Sequence, residues 1–222
     1  MFGDTLSAAL RFTVRHKLVL LRITIIPILL AILLQLVAME LQSELFNWTV
    51  MFIEALLSSI IAINVHRIVL KGEDSVPHWG RFTIGKIELW FFAHYLSLWF
   101  GVYAIFLLTP LIGFVAGVLA IVAGIISCRL CIVFPAIALG KGVSFPYAWQ
   151  LTAQKTLYML CVVAIAPFIF GLFLVPIALL SPLPALFTFF SYVVTILAVI
   201  TLSFAYQNLT EAPEPVAPDA EK

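Results

Sequence analysis

Long apolar runs alternate with short polar connections along the chain, and the lengths of these runs predict the fold. A helix that crosses a hydrocarbon layer of roughly 30 Å needs about 20 residues. The predicted spans are Leu18–Leu41, Trp48–Val69, Glu88–Pro110, Ile112–Leu139, Leu157–Leu180 and Leu183–Tyr206. Membrane strands would instead show segments of about ten residues with alternating polarity. The pattern therefore predicts an all-α integral membrane bundle of six transmembrane helices.

Proline and glycine predict two tight turns between these spans. Thr109–Gly113 separates the third span from the fourth, and Ser181–Pro184 separates the fifth from the sixth, because Pro and Gly interrupt a helix. The chain then divides into three parts. These are a cytoplasmic segment at 1–17, a transmembrane domain at 18–206 and a tail at 207–222.

The two end segments differ from the spans in their pattern. In the first, apolar residues that include Leu6, Leu10 and Val14 recur at three- and four-residue steps, while arginines occupy other faces. This spacing predicts an amphipathic helix lying in the membrane interface, and an ordinary lead-in to the first span is the alternative. The tail is acidic, rich in proline and poor in large apolar groups, and it is predicted to be disordered.

Composition agrees with a polytopic membrane protein. Apolar residues make up 64% of the chain and charged residues 10%, and the mean hydropathy is +1.16. These values exclude a water-soluble domain of ordinary composition. A net charge of +1 also leaves no basic domain for binding nucleic acid.

The positions of the positive charges predict the orientation in the membrane. All 12 Lys and Arg residues fall in or beside connections on one side of the six predicted spans, and the other connections carry none. Lys and Arg are retained on the cytoplasmic side of short loops. We therefore expect a multi-pass protein of a bacterial inner (plasma) membrane with both termini in the cytoplasm.

Two stretches of the chain carry a resemblance to known proteins. Asn64–Glu73, followed by Glu88–Phe91, resembles a group of uncharacterised bacterial inner-membrane proteins whose second span ends in a His-Arg pair and a Gly-Glu turn. Arg129–Ala136 and Ala148–Thr152 are similar to that group and to the membrane domain of glycerophosphodiester phosphodiesterases, although Ala replaces the usual first Ser of the second motif. The resemblance covers about residues 60–160. It implies a fold and no catalysis, because the phosphodiesterase site of those enzymes lies in a separate soluble domain.

Glu54 is the most unusual polar residue inside a predicted span. It lies about six residues from the outer edge of the second span, a depth of roughly 9 Å at helical rise, and no neighbouring outer segment carries a basic residue. A charge at such a depth is costly unless it is paired or hydrated. The alternatives are a neutral hydrogen bond to Gln35 of the first span, a water-filled cleft, and a proton or cation site.

Three arginines form the most concrete candidate for binding a ligand. Arg22, Arg67 and Arg129 are predicted at a similar depth, where they could bind the phosphates of anionic lipid head groups. The alternative is that each arginine only anchors its own helix. Arg129 lies deepest, and its candidate partners are Glu88, helix-end carbonyls or a lipid phosphate.

The remaining candidates are polar residues in the spans and tryptophans at their edges. Histidines in such positions serve more often as interhelical hydrogen-bond donors than as metal ligands, and Trp is enriched at membrane interfaces. The additional polar candidates are Asn64, His66, Glu88 and His94, and the predicted interfacial anchors are Trp48, Trp79 and Trp149.

No catalytic or metal-binding pattern stands out in the sequence. Cys128 and Cys131 lie three residues apart, but with Cys161 they make only three of the four or so ligands that a zinc or iron–sulfur site needs. We expect the thiols to pack, and we expect no cofactor or metal. The predicted function is a non-catalytic accessory or scaffold subunit that organises protein or lipid partners at the cytoplasmic leaflet. A protein partner would make the chain part of a larger membrane complex. A small-molecule or lipid transporter is the alternative.

Overall fold

The computed structural model of the chain describes residues 1–180 and 183–211, apart from the side chains at 106, 109–112 and 180. Within these residues the secondary structure is helical and contains no strand, which confirms the all-α prediction. The α-helices are α1 (Phe2–Arg15), α2 (Lys17–Leu41), α3 (Glu44–Lys71), α4 (Lys86–Ile112), α5 (Phe114–Leu130), α6 (Val133–Ala138), α7 (Phe145–Leu151), α8 (Thr156–Leu160), α9 (Ala166–Leu172), α10 (Leu174–Leu180) and α11 (Pro184–Thr210). A 3₁₀ turn at Glu73–Ser75 and a π-helical segment at Cys161–Ile165 join these helices.

Several helices have the length and composition needed to cross a membrane. In the described part of the chain, four helical stretches meet both requirements: Lys17–Leu41, Glu44–Lys71, Phe114–Ala138 and Pro184–Thr210. A fifth candidate is the pair Phe145–Leu151 and Thr156–Leu172, which is bent by 115°. The described residues thus contain four candidate spans, or five if the bent pair counts as one.

Side-chain contacts give the relative directions of the long helices. The backbone of Gly80, just beyond α3, approaches Ile23 near the start of α2, so α2 and α3 are antiparallel. Phe134 of α6 packs against Phe91 near the start of α4, with 4.7 Å between the ring centroids, so the α5–α6 stretch returns along α4. Thr5 of α1 bonds to Asn208 of α11, and these two helices meet at the same end of the bundle.

We call this end the basic end, and we define it by Arg67, Arg81, Arg129 and Lys141. The core is most completely buried here, because all six residues of α6 are buried beneath α3 and α4. The connection from α3 to α4 also folds against this end. A Cβ atom at Gly80, where φ is +94°, would lie 2.8 Å from the carbonyl oxygen of Ile23, so this close approach requires glycine.

The helix boundaries differ from the predicted ones at several places. The α4 helix continues through Pro110 to Ile112, and the chain turns at Gly113, where φ is +49°. The fourth predicted span is a helix to Leu130, followed by a short turn and α6. The residues on both sides of this turn are apolar, so the hydropathy pattern does not mark it.

At the ends of the chain, a helix forms where the first one is predicted, and the last helix is longer than predicted. The α1 helix forms within residues 1–17 and packs on α11, with 5.8 Å between the ring centroids of Phe12 and Phe204. The α11 helix continues to Thr210, four residues beyond the predicted end of the last span. Ser181 and Pro182, the first half of the predicted turn at Ser181–Pro184, lie outside the described residues, as do residues 212–222 of the predicted tail.

Candidate functional site

Arg67 and Lys71 lie one turn apart near the end of α3 and bind the C-terminal end of α6. Arg67 is 8% exposed and donates from Nε to the carbonyl oxygen of Ala138 at 2.8 Å. Lys71 donates from Nζ to the carbonyl oxygen of Leu139 at 3.4 Å. The last carbonyl groups of a helix lack intrahelical partners, and cations are favourable there. The two side chains therefore hold this short helix in the core.

Arg129 does the same for α7. Its Nη2 donates to the carbonyl oxygen of Trp149 at 2.8 Å, and its Nε donates to Oγ1 of Thr152 at 3.1 Å. Its guanidinium carbon also lies 3.5 Å from the centre of the Trp149 ring. Of the three partners that the sequence allows for Arg129, helix-end carbonyls are the one found, while Glu88 pairs with a different arginine.

These contacts bear on the predicted cation belt. Arg67 and Arg129 donate to main-chain carbonyls at two different helix ends, as expected for arginines that anchor helices. Arg22 differs, because its Nη1 lies 2.8 Å from Nε2 of His78, and its buried Nε has no hydrogen-bond partner among the described residues. The structure thus gives the three arginines different surroundings.

A polar clasp holds the connection between α3 and α4. Nδ2 of Asn64 donates to the carbonyl oxygen of Arg81 at 3.2 Å, and Oδ1 of Asn64 accepts from the Arg81 amide at 3.0 Å. Nε of Arg81 lies 3.2 Å from Oε1 of Glu88, but its N–H donates to Oγ1 of Thr83 at 2.8 Å. Oε2 of Glu88 accepts from the Gly85 amide at 3.1 Å. Glu88 is therefore paired by charge, although its Oε1 makes no aligned hydrogen bond.

The two predicted histidine candidates have different partners. His66 is fully buried, and its Nδ1 lies 2.7 Å from Oγ of Ser203 on α11. Nδ1 of His94 lies 2.9 Å from the carbonyl oxygen of Trp90 in its own helix, and the His94 ring packs against Phe145. The interhelical role predicted for both histidines is thus found for His66, and His94 bonds within α4.

A pair of tyrosines links the basic end to the last helix. Lys141 donates from Nζ to Oη of Tyr206 at 2.7 Å, and Oη of Tyr147 lies 3.2 Å from the same atom. Burial, together with the hydrogen bond to Tyr206, raises the pKa of Tyr147 to about 12. The Tyr147 hydroxyl is therefore neutral at physiological pH, and it joins α7 to α11.

An apolar groove of about 290 Å³ lies between α1, α2 and α11. Thr13 and Lys17 line it at the basic end, where α1 meets α2. Its walls are mostly aliphatic and aromatic, and they include Leu21, Ile28 and Phe189. The groove is thus an apolar slot with one cationic side chain at its mouth.

Glu54 lies in the other half of the bundle and borders two spaces. One is a cleft of about 470 Å³ that Gln35 and Asn47 also line, and the other is a cavity of about 190 Å³ between α3, α4 and α11. Gln35 accepts a hydrogen bond from Thr188 of α11. Gln35 and Glu54 thus line the same cleft, but Gln35 bonds to Thr188 of α11 and not to Glu54 of α3.

The predicted tryptophan anchors are all exposed. Trp48, Trp79 and Trp149 have 47%, 55% and 44% of their surface exposed. Trp48 lies in the first turns of α3, and the other two lie at the basic end. The anchoring role of the three tryptophans stays a prediction, and the Trp149 ring also contacts Arg129.

The three cysteines are free thiols. Cys128 is buried, and Cys131 and Cys161 are partly buried. Across residues 1–180 and 183–211, no group of three His, Cys, Asp or Glu side chains is arranged to hold a metal ion.

Several residues of these sites were not predicted from the sequence. The cavity beside Glu54 is lined by Ser58, Tyr95, Trp99 and Tyr192. The spacing offered a signal, because Ser58 follows Glu54 by four residues and Trp99 follows Tyr95 by four, so each pair shares a helix face. Thr152 ends the second motif of the resemblance, but neither Thr152 nor Ser203 carried a signal for its bonding partner, since a hydroxyl in an apolar helix usually bonds only to its own backbone.

Comparison with known proteins adds no relative. No family model matches the chain, and neither a curated protein nor a solved structure matches it. The resemblance to the membrane domain of glycerophosphodiester phosphodiesterases therefore stays a prediction.

Proposed function

We propose that the protein is a non-catalytic, multi-pass protein of a bacterial inner membrane that organises partners at the cytoplasmic leaflet, with anionic phospholipid as the primary partner. In this proposal six helical stretches cross the bilayer, α1 lies in the interface, and both termini face the cytoplasm. The concentration of Lys and Arg at one end of the bundle supports this orientation.

The observation that carries the proposal is the groove between α1, α2 and α11. Lys17 and Thr13 stand at its mouth at the basic end, and mostly apolar walls continue from there along α2 and α11. A phospholipid has the matching chemistry, because its phosphate is anionic and its chains are apolar. Basic residues beside a membrane surface attract anionic lipids by about 1 kcal/mol each.

The arginine contacts limit which cations can take part. Arg67 and Arg129 are engaged with helix-end carbonyls inside the protein. Arg22 contacts the side chain of His78. In the proposal, Arg22 and Lys17 are the two cations that face the lipid head-group region.

A small-molecule or lipid transporter is the second candidate function. It is favoured by the 115° bend between α7 and the helix after it, and by the π-helical segment at Cys161–Ile165, since broken helices often surround transport sites. Uptake of a substrate by the purified protein in sealed vesicles would favour this function over the first.

Purification from native membranes in a mild detergent, with mass spectrometry of proteins and lipids in the same sample, tests the proposal. We expect anionic phospholipid retained in a fixed ratio to the protein. A stoichiometric protein partner without such lipid would turn the proposal toward a subunit of a larger complex. Purified protein with neither retained anionic lipid nor a stoichiometric protein partner would contradict the proposal in both its lipid and its protein form.

A further inference from the structure

The cavity beside Glu54 has a mixed polar and aromatic lining. Its walls come from three helices, with Glu54 and Ser58 on α3, Tyr95 and Trp99 on α4, and Tyr192 on α11. Its volume of about 190 Å³ lies below the roughly 300–1,000 Å³ of sites for drug-sized molecules. Any ligand that fills it must be small.

The stretches of α3, α4 and α11 that line the cavity carry no lysine or arginine. The sequence contains no Lys or Arg between Arg22 and Arg67, between Lys86 and Arg129, or between Lys155 and Lys222. The polar side chains that line the cavity with Glu54 include the hydroxyl-bearing Ser58, Tyr95 and Tyr192. When ionised, a carboxylate without a protein cation nearby attracts a cation that enters the cavity from outside, because opposite charges interact strongly where little water screens them.

The aromatic side chains make the cavity suited to an organic cation. The Trp99 ring stacks on Tyr103 with 5.0 Å between centroids and an interplanar angle of 10°, which fixes its orientation. Tyr95 and Tyr192 line the same space. Ammonium groups bind over the faces of Trp and Tyr rings, and cages of such rings recognise methylated ammonium ions.

The second space gives a polar route to the cavity. The cleft of about 470 Å³ shares Met51 and Glu54 with the cavity, and Gln42 and Asn47 line it at the turn between α2 and α3. This turn lies at the end of the bundle opposite the basic end. A solute from the aqueous phase on that side can therefore reach Glu54 past amide groups.

We propose that this cavity binds a small organic ammonium ion, with Glu54 as the counter-ion and Trp99, Tyr95 and Tyr192 around the ammonium group. A divalent metal ion fits the lining poorly, because Glu54 is its one carboxylate and the other polar groups are neutral hydroxyls and the indole N–H of Trp99. The cavity shares no lining residue with the lipid groove, whose cationic mouth lies at the basic end.

Calorimetric titration of the full chain in an uncharged maltoside detergent tests the proposal, with tetramethylammonium chloride as the probe and sodium chloride at the same concentrations as the reference. We expect saturable binding of tetramethylammonium alone. The E54Q variant should weaken this binding by about tenfold or more through loss of the ion pair. The W99F variant should weaken it roughly 2- to 5-fold, the size of a partly exposed cation–π contact.

Glu40→Gln is the matched control, because Glu40 is an exposed carboxylate near the end of α2 and lines neither space. This variant should bind the probe like the unmodified chain. Thermal unfolding of each variant shows whether the protein is folded, and Tyr192→Phe provides a second lining variant if E54Q does not fold. Equal binding of sodium and tetramethylammonium, no saturable binding, or unchanged binding in the folded lining variants would overturn the proposal.

Discussion

Arg129 donates a 2.8 Å hydrogen bond to the carbonyl oxygen of Trp149 and also lies 3.5 Å from the centre of the Trp149 ring. A single guanidinium thus ends α7 and fixes the indole above it. Because Trp149 is exposed beside this contact, the arginine connects the core of the basic end to a side chain at its surface.

Replacing Arg129 by Gln should destabilise the fold by about 2–3 kcal/mol, because charge-assisted hydrogen bonds to Trp149 and Thr152 are lost in a buried setting. Unfolding by SDS in mixed micelles measures the change. Trp149→Phe should cost only about 0.5–1 kcal/mol, since the main-chain carbonyl remains and the ring stacking weakens. Lys155→Gln, at an exposed site, is the control and should stay within about 0.5 kcal/mol; equal effects of R129Q and K155Q would refute the structural role.

Gly80→Ala should be among the most damaging small substitutions in the chain. The new Cβ would meet the carbonyl oxygen of Ile23 at 2.8 Å, at a φ of +94°, and we expect a loss of about 2–4 kcal/mol. Gly72→Ala separates the two causes, because Gly72 has a φ of +88° but open space around it. That variant should lose only about 1–2 kcal/mol. A cost for Gly72→Ala as large as that for Gly80→Ala in the same unfolding assay would show that the close approach is unimportant.

Ser203→Ala should destabilise the protein, because it removes the hydrogen-bond partner of the buried His66 side chain. The Ser203 hydroxyl donates to the carbonyl oxygen of Val199, so it accepts from Nδ1 of His66. Removing it leaves a fully buried donor without a partner, at a cost of about 1–3 kcal/mol. Ser97→Ala is the control, because the exposed Ser97 hydroxyl donates to the carbonyl oxygen of Ala93 in its own helix. The thermal unfolding of this variant should be almost unchanged. A stable Ser203→Ala protein would count against the buried pair.

The pKa of Tyr147 predicts a loss of stability at high pH. Burial and the Tyr206 hydroxyl raise it from 10.0 to about 12, so the folded state favours the neutral phenol. The resulting stabilisation is complete below pH 10 and is lost as the pH rises from 10 to 12. The unfolding temperature of the unmodified chain should therefore fall relative to that of Tyr147→Phe across this interval. Parallel curves for the two proteins would contradict the assigned surroundings of Tyr147.

The sequence predicts the helical class well, because long apolar runs leave few other ways to satisfy backbone polar groups in a membrane. It does not predict where helices break within those runs. The fourth predicted span breaks before α6, and α6 is fully buried, yet the residues on either side remain apolar. Arg67 and Lys71 of α3 bind the other end of α6, and these contacts between distant helices are equally invisible in the apolar pattern.

Partners of polar residues are predicted less well than the residues themselves. Arg129 is recognisable from its depth, but its acceptor is a main-chain carbonyl, which every residue possesses. Glu54 is recognisable in the same way, whereas the approach of Tyr192 from α11 follows from helix packing that hydropathy does not encode. Spacing within one helix is readable from sequence, and the choice of neighbouring helix is not.

The most direct test of the proposed function is native mass spectrometry of lipid retained by the unmodified chain and by Lys17→Gln. Lys17 stands at the mouth of the apolar groove, while Lys155 is an exposed lysine that does not line it, so Lys155→Gln is the matched control. The account predicts that the unmodified chain and Lys155→Gln retain anionic phospholipid and that Lys17→Gln loses most of it. Equal retention by all three proteins, or retention of zwitterionic lipid alone, would contradict it.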